Sequence, residues 1–284
     1  MKKIIFSVWA NITEEHSSVP DSKKQAFAEY KDRLIAAQKQ YAHFCSAEYH
    51  IFEPNIFNYD DVQFYKLNKF ESLAADYDEV VYFDLDIIPT TNLSIFDKHA
   101  SNPGLGVHFI DVNPRWRYRN DPGSNKLTAN PYHDDLGYYA EWWVTAHGGF
   151  DKMNMVVKSC IKNAMLDIVG FKKDNMIANT GVLIGNKNSI EHLKFQERFF
   201  EVDEIFKEAK EDNIYPEEIS SCFDQNNEVY LSFMKDYYNI PINKISLAWN
   251  WIIDETFTTK TNGAYLHHIV NKNFKMFEEY LPKN

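Results

Sequence analysis

The chain has 284 residues, 44% of them hydrophobic and 15% aromatic, which is ample for a packed core and argues against disorder. Its formal net charge of -11 argues against broad nucleic-acid binding, which needs basic surface to displace counterions from phosphates. Cys45, Cys160 and Cys222 are odd in number, far apart and without a Cys-x-x-Cys pair, so they read as free thiols of a reducing compartment. The opening "MKKIIFSVWANITEE" has a basic start, but its apolar run is too short for a signal-peptide core. No stretch approaches the roughly 20 apolar residues of a membrane span. The expectation is a cytoplasmic protein without a membrane span.

"KKIIFSVWA" (Lys2 to Ala10) reads as a buried strand. "SKKQ" (Ser22 to Gln25) has the form of a capping box, and Phe27, Tyr30, Leu34, Ala37, Tyr41 and Phe44 then recur at helical spacing. "EYHIFEP" is the next strand, "QFYKLNKFESLAADY" the next helix and "DEVVYFDLDII" the strand after it. This alternation predicts a mainly parallel sheet with helices on its faces. Such sheets bind ligands at the carboxyl ends of their strands.

The second half is less regular. "GLGVHFI" predicts a strand, and the following segment, spanning residues 111–150, breaks every periodicity. It holds Trp116, Trp142, His147 and the arginines Arg115, Arg117 and Arg119. Long irregular segments in compact domains tend to be binding loops or lids, and aromatic side chains suit the apolar faces of sugar rings. Asp134, Asp135 and Glu141 of this loop could supply a base for an acceptor hydroxyl, and the glycines after His147 allow close approach to a ligand. "NTGVLIGN" reads as a strand, Ile190 to Asp212 and Glu217 to Tyr238 as amphipathic helices, and "KISLAW" and "AYLHHIV" as late strands.

The informative stretch is "VVYFDLDI" (Val80 to Ile87), a β-branched and aromatic run that ends in Asp84 and Asp86. Unpaired buried carboxylates are costly, so a cation is expected beside them. One salt-bridged Asp at a strand end would be unremarkable, but two aimed at the crevice favour function. Three readings of Asp-x-Asp compete. A divalent metal could bridge the carboxylates to a nucleotide diphosphate. The first Asp could be the nucleophile of a haloacid-dehalogenase-like phosphatase. Or the chain could be a catalytically silent sugar-nucleotide or glycan-binding module. The phosphatase motif continues Asp-x-Asp-x-Thr on the first strand, whereas here "DLDII" lies on the third.

At this point the sequence resembles the nucleotide-sugar glycosyltransferases of the GT-A fold, in the glycogenin and bacterial galactosyltransferase-like branch. "DEVVYFDLDIIPTTNLSIFD" resembles the family's Asp-x-Asp strand with its following Pro, and "ANTGVLIGN" its Asn-x-Gly-Val strand. "DQNNEVYL" and "LAWNW" resemble its Asp-Gln helix and later Trp-Asn, and "LHHIVNKNFKMF" its closing His-Phe-x-Gly-x-x-Lys-Pro-Trp segment. The four pieces stand in the family's order. The resemblance implies one GT-A, Rossmann-like α/β domain over residues 1–284, with a nucleotide-binding half at 1–105 and an acceptor-binding half with the closing segment at 106–284. It implies a glycosyltransferase that uses Mn²⁺ or Mg²⁺, a nucleotide-sugar donor, UDP-linked, and a glycan or glycoconjugate acceptor.

The same resemblance implies roles for single residues. Asp84 would contact ribose and metal, Asp86 would ligate the metal, and His268 would be the third protein ligand. Lys66 would take the family's basic donor-binding position and Lys275 would lie near the phosphates. Asn179 and Asp224 would hold donor-sugar hydroxyls, Gln225 would lie beside the anomeric carbon, and Val8 and Trp9 would lie near the base. Trp116, Trp142 and His147 are the acceptor candidates. Lys66 lies one residue further from Asp84 than the family's Arg, with Lys69 as the alternative. Asn271 replaces the family's Gly and Lys275 falls one residue late, which leaves His267 or His268 open as the ligand. Adjacent strand residues face opposite ways, so one of the two should reach the crevice. Asp224 also has a plain reading as a first-turn helix acid favoured by the macrodipole. Retention or inversion of the sugar configuration stays open.

Overall fold

The computed structural model describes residues 1–10, 20–54, 59–111, 155–215, 220–253 and 263–283. The chain divides into two compact units. The first comprises Met1–His108, Thr180–Phe195 and Ile240–Asn284, and the second Phe109–Asn179 and Gln196–Asn239. Within the first unit, later strands return to pair with the early ones.

In chain order the early elements are β1 (Lys3–Val8), α1 (Asp21–Phe44), β2 (Glu48–Phe52), α2 (Tyr59–Leu73), β3 (Glu79–Phe83), β4 (Ile87–Pro89) and β5 (Leu105–Asp111). They are followed by α3 (Met155–Ile168), β6 (Met176–Asn186), α4 (Lys187–Glu191), α5 (Phe195–Asp212) and α6 (Asn227–Tyr237). The chain closes with β7 (Ile242–Lys244), β8 (Trp251–Ile253), β9 (Leu266–Ile269) and a 3-10 segment, Phe274–Tyr280. The central sheet has six strands in the order β2-β1-β3-β6-β5-β7. β1 runs parallel to β2 and β3, and β5 parallel to β7, while β6 is antiparallel to β3. The expected α/β architecture with a mainly parallel sheet is therefore present.

The two-residue repeat of a strand explains how helices cover both faces. Ile5, Val81 and Phe83 share a buried cluster with Tyr41 and Ala42 of α1. The intervening Phe6 and Tyr82 face the other way, with Phe6 against Phe70 of α2. Apolar residues on both faces are what a strand covered twice requires.

Several local expectations are corrected. α1 begins at Asp21 after Pro20, with no side-chain cap, so Ser22 sits inside the first turn. The Lys23 and Lys24 amides donate to the Pro20 carbonyl instead. The helix expected from Ile190 to Asp212 is two, α4 and α5, separated at Lys194, whose φ is 43°. Of the helix expected from Glu217 to Tyr238, residues 216–219 lie outside the described residues and Ser220 is helical; after a break at 221–226 the helix α6 starts at Asn227, capped by the Asn226 side chain. "KISLAW" is not a strand: Leu247–Trp249 is a 3-10 turn lying between β7 and β8. The proposed lid, with Arg115, Trp116, Arg117, Arg119, Asp134, Asp135, Glu141, Trp142 and His147, lies outside the described residues.

In the second unit α3 and α6 pack together around a buried lysine and partly buried charges. Lys162, with no exposed surface, pairs with Asp174 and lies 3.1 Å from Asp236. Lys235 lies 3.0 Å from Asp174 and 2.6 Å from Asp236, closing a ring of two lysines and two acids. A buried charge such as Lys162 is tolerated because it is paired.

Candidate metal centre

The strand expected to run from Asp78 to Ile88 stops at Phe83. The backbone turns through Asp84, Leu85 and Asp86, and resumes as β4. Leu85 is buried in the apolar cluster of Trp9, Phe27 and Ile269. Its anchoring leaves the two acids on either side to point away from that cluster.

Gln38 of α1, wholly buried, holds the turn. Its Nε2 donates to the carbonyls of Asp84 (3.0 Å), Leu85 (3.3 Å) and Ile87 (2.9 Å). Its Oε1 accepts from Ser7 Oγ at 2.6 Å and from Tyr49 OH at 3.0 Å. The Asp84 amide donates to the Gly181 carbonyl of β6 at 2.9 Å, and the Ile87 amide to the Asp84 carbonyl at 3.0 Å.

The third component arrives from the end of the chain. β4, β9 and β8 form a second, three-stranded sheet, in which Ile87 pairs with His268 and Ile88 with His267. The Ile269 amide donates to the Asp86 carbonyl at 3.0 Å, fastening β9 to the turn. His268 Nε2 lies 3.6 Å from Asp84 Oδ2 and 3.5 Å from Asp86 Oδ1. His267 faces the other way, its ring centroid 4.9 Å from that of Phe277 and its Nδ1 3.1 Å from Thr90 Oγ1. The adjacent histidines thus divide as strand alternation requires, and His268 is the one at the acids.

Asp84, Asp86 and His268 offer one donor atom each within 4.8 Å of one another, the only such group of three among the described residues. Two hard carboxylates and an imidazole suit Mn²⁺ or Mg²⁺, whose ligand atoms sit about 2.0–2.2 Å from the ion and so roughly 3 Å apart. His268 Nδ1 lies 3.1 Å from Asn250 Oδ1, and by donating there it leaves Nε2 as the ligating nitrogen. A cation held between the three would meet both carboxylates and that nitrogen. The residues present fit the ion.

Basic side chains frame the acids. Lys66 of α2 places Nζ 3.2 Å from Asp84 Oδ1, an oxygen that also accepts from Tyr82 OH, and lies over the Tyr82 ring. Lys69, the sequence alternative, lies instead over Phe52, 4.3 Å from the ring centroid. Lys272 pairs with Asp86 Oδ2. Burial alone would push the Asp86 carboxyl up, but Lys272 and His268 outweigh it and hold the group well below the usual carboxylate range.

The remaining candidates are placed as follows. Val8 ends β1 and Trp9 follows it, at the same end of the parallel strands β1 and β3 as Asp84, but Trp9 is buried against Phe27 with Lys31 over its ring. Lys275 is exposed on the closing 3-10 segment, and Lys272 rather than Lys275 meets the acids. Asn179 lies buried within β6. Asp224 lies two residues before the α6 cap, so it is not a first-turn acid; Glu228 is. The Gln225 amide donates to Asp203, which also accepts from Tyr230 OH at 2.7 Å. Asn250 and Lys272 were not singled out from sequence. Asn250 lies in the "WN" pair of the resemblance, a signal that could have found it, whereas Lys272 carries no such mark.

No family model matches the chain and no curated protein sequence matches it. Among solved structures it is similar to a glycosyltransferase involved in glycosylation of the major capsid of PBCV-1, at 12% identity and TM-score 0.45, covering 99% of this chain and 98% of that one. It is also similar to the galactosyltransferase LgtC in complex with donor and acceptor sugar analogs, at 10% identity and TM-score 0.49, covering 99% and 97%. A third is mouse xyloside xylosyltransferase 1 in its apo form, at 8% identity and TM-score 0.41, covering 95% and 98%.

Proposed function

We propose that the chain is a cytoplasmic, metal-dependent glycosyltransferase that moves a sugar from a nucleoside diphosphate donor, UDP-linked, to a hydroxyl of a glycan or glycoconjugate. The observation that carries this reading is the convergence of Asp84, Asp86 and an Asn250-oriented His268 at the carboxyl end of β3. That is where open α/β sheets bind ligands. In sequence, the family resemblance supports it.

Asp84, Asp86 and His268 would hold Mn²⁺ or Mg²⁺. When bound, the ion supplies positive charge that offsets the charge developing on the departing diphosphate. Lys66 adds a cation on the α2 side of the acids, and with Tyr82 it holds the Asp84 carboxylate in place. Asn250 fixes the His268 ring, and Gln38 fixes the turn that carries both acids. On the sequence resemblance we assign donor-sugar hydroxyls to Asn179 and Asp224, the anomeric carbon to Gln225, the base to Val8 and Trp9, and the phosphates to Lys275. Trp116, Trp142 and His147 are assigned to the acceptor on composition.

Incubation with a panel of nucleotide sugars and Mn²⁺ tests the reading. Slow release of free nucleoside diphosphate from one member, lost on chelation of the metal, is the expected result. Silence across the panel, with nucleotide sugars still bound, would leave a binding module instead.

A further inference from the structure

Two acids at the turn face two lysines, Lys66 on Asp84 and Lys272 on Asp86, so charge is matched before any metal arrives. Lys66 sits on a regular helix. Lys272 does not: its φ is 61°, the left-handed region that residues with a Cβ rarely adopt. Its amide donates to the Ile269 carbonyl at 3.0 Å, closing a tight turn directly after β9. That turn brings Nζ onto Asp86 Oδ2 and to 5.2 Å from the centroid of the Phe27 ring. A strained backbone position persists where surrounding interactions hold it, and here they deliver a cation to a carboxylate that is 4% exposed.

We propose that Lys272 is a resident counter-cation of the metal centre, neutralising Asp86 in the metal-free protein so that a divalent ion binds against it. The inference rests on reading Asp84, Asp86 and His268 as that centre. An unpaired carboxylate as buried as Asp86 would be costly, and Lys272 removes the cost while no metal is bound. The two oxygens of one carboxylate are too close together for an ammonium on Oδ2 and a dication on Oδ1 to be independent. Whether Lys272 swings away or stays, its charge lowers metal affinity. Because Lys272 opens the closing segment, metal binding is also coupled to that segment.

The test is Mn²⁺ titration of the full chain, with free Mn²⁺ read by electron paramagnetic resonance. Lys272→Met should bind Mn²⁺ at least about tenfold more tightly than the unsubstituted protein, which is about 1.4 kcal/mol. Without metal it should melt at a lower temperature, and Mn²⁺ should raise its melting temperature by more. Lys272→Gln replaces it if the Met variant does not fold without metal, and Lys272→Arg, which keeps the charge, should bind like the parent. Equal or weaker Mn²⁺ binding by the uncharged variants, with the parent binding normally, overturns the role of Lys272 and leaves the metal centre standing. Absence of binding by every form overturns both.

Discussion

Gln38→Leu should destabilise the protein and loosen the metal centre together. The substitution keeps the side chain's approximate volume but removes an amide that joins α1 to β1, β2 and the acidic turn. Some partners recover: the Asp84 carbonyl keeps the Ile87 amide, and Tyr49 is only partly buried. Ser7 is wholly buried and loses its acceptor, and the Ile87 and Leu85 carbonyls lose a donor. A buried polar group stranded without a partner costs about 1–3 kcal/mol, so three stranded groups cost about 3–9 kcal/mol. That is a large part of a stability of roughly 5–15 kcal/mol. Urea unfolding followed by circular dichroism should show a lower midpoint with an unchanged slope. Mn²⁺ affinity of the folded variant should fall, because the turn that aims both carboxylates has lost its clamp. A loss of stability below about 1 kcal/mol would refute the reasoning about burial and satisfaction. A full loss of stability with unaltered Mn²⁺ binding would refute the claim that Gln38 positions the acids.

Asp86→Asn should abolish Mn²⁺-dependent nucleotide binding by calorimetry, and it should cost some stability because Lys272 is left beside a neutral amide. His268→Ala should raise the Mn²⁺ concentration needed for half-maximal diphosphate release by at least about tenfold, in line with loss of a ligand or its support, whereas His267→Ala should chiefly lower thermal stability. The reverse pattern would contradict the register Ile87 to His268. Asp203 is pushed up by burial, but Tyr230, Lys207 and Gln225 outweigh this and hold it below the usual carboxylate range. A depressed carboxyl contributes stability that is present above its unfolded value of about 4 and is lost as pH falls through its lower folded value. Asp203→Asn should therefore flatten the acid side of the stability profile, and an unaltered acid limb would refute the assignment.

Sequence alone determined what short-range patterns encode. The apolar run of Ile4 to Val8, the helical spacing from Phe27 to Tyr41 and the β-branched run before Asp84 specify strand, helix and strand, because burial forces a period of two or 3.6 on local residues. The acids at the strand end were legible for the same reason, since a carboxylate after such a run has no apolar use. Lys66 was legible as a helical residue one element earlier, and strand alternation already required His267 and His268 to part. Tertiary structure decided the rest. That the strand breaks at Asp84 depends on Leu85 finding the core and on Gln38, 46 residues from Asp84 in sequence, finding the turn carbonyls. His268 rather than His267 meets the acids because β9 pairs with β4 in one register of two, and a shift by one residue would exchange them. Lys272 reaches Asp86 because a left-handed turn after β9 reverses the chain there, and that pair is 186 residues apart. Contacts of such range are fixed by strand pairing and packing, which no local periodicity records.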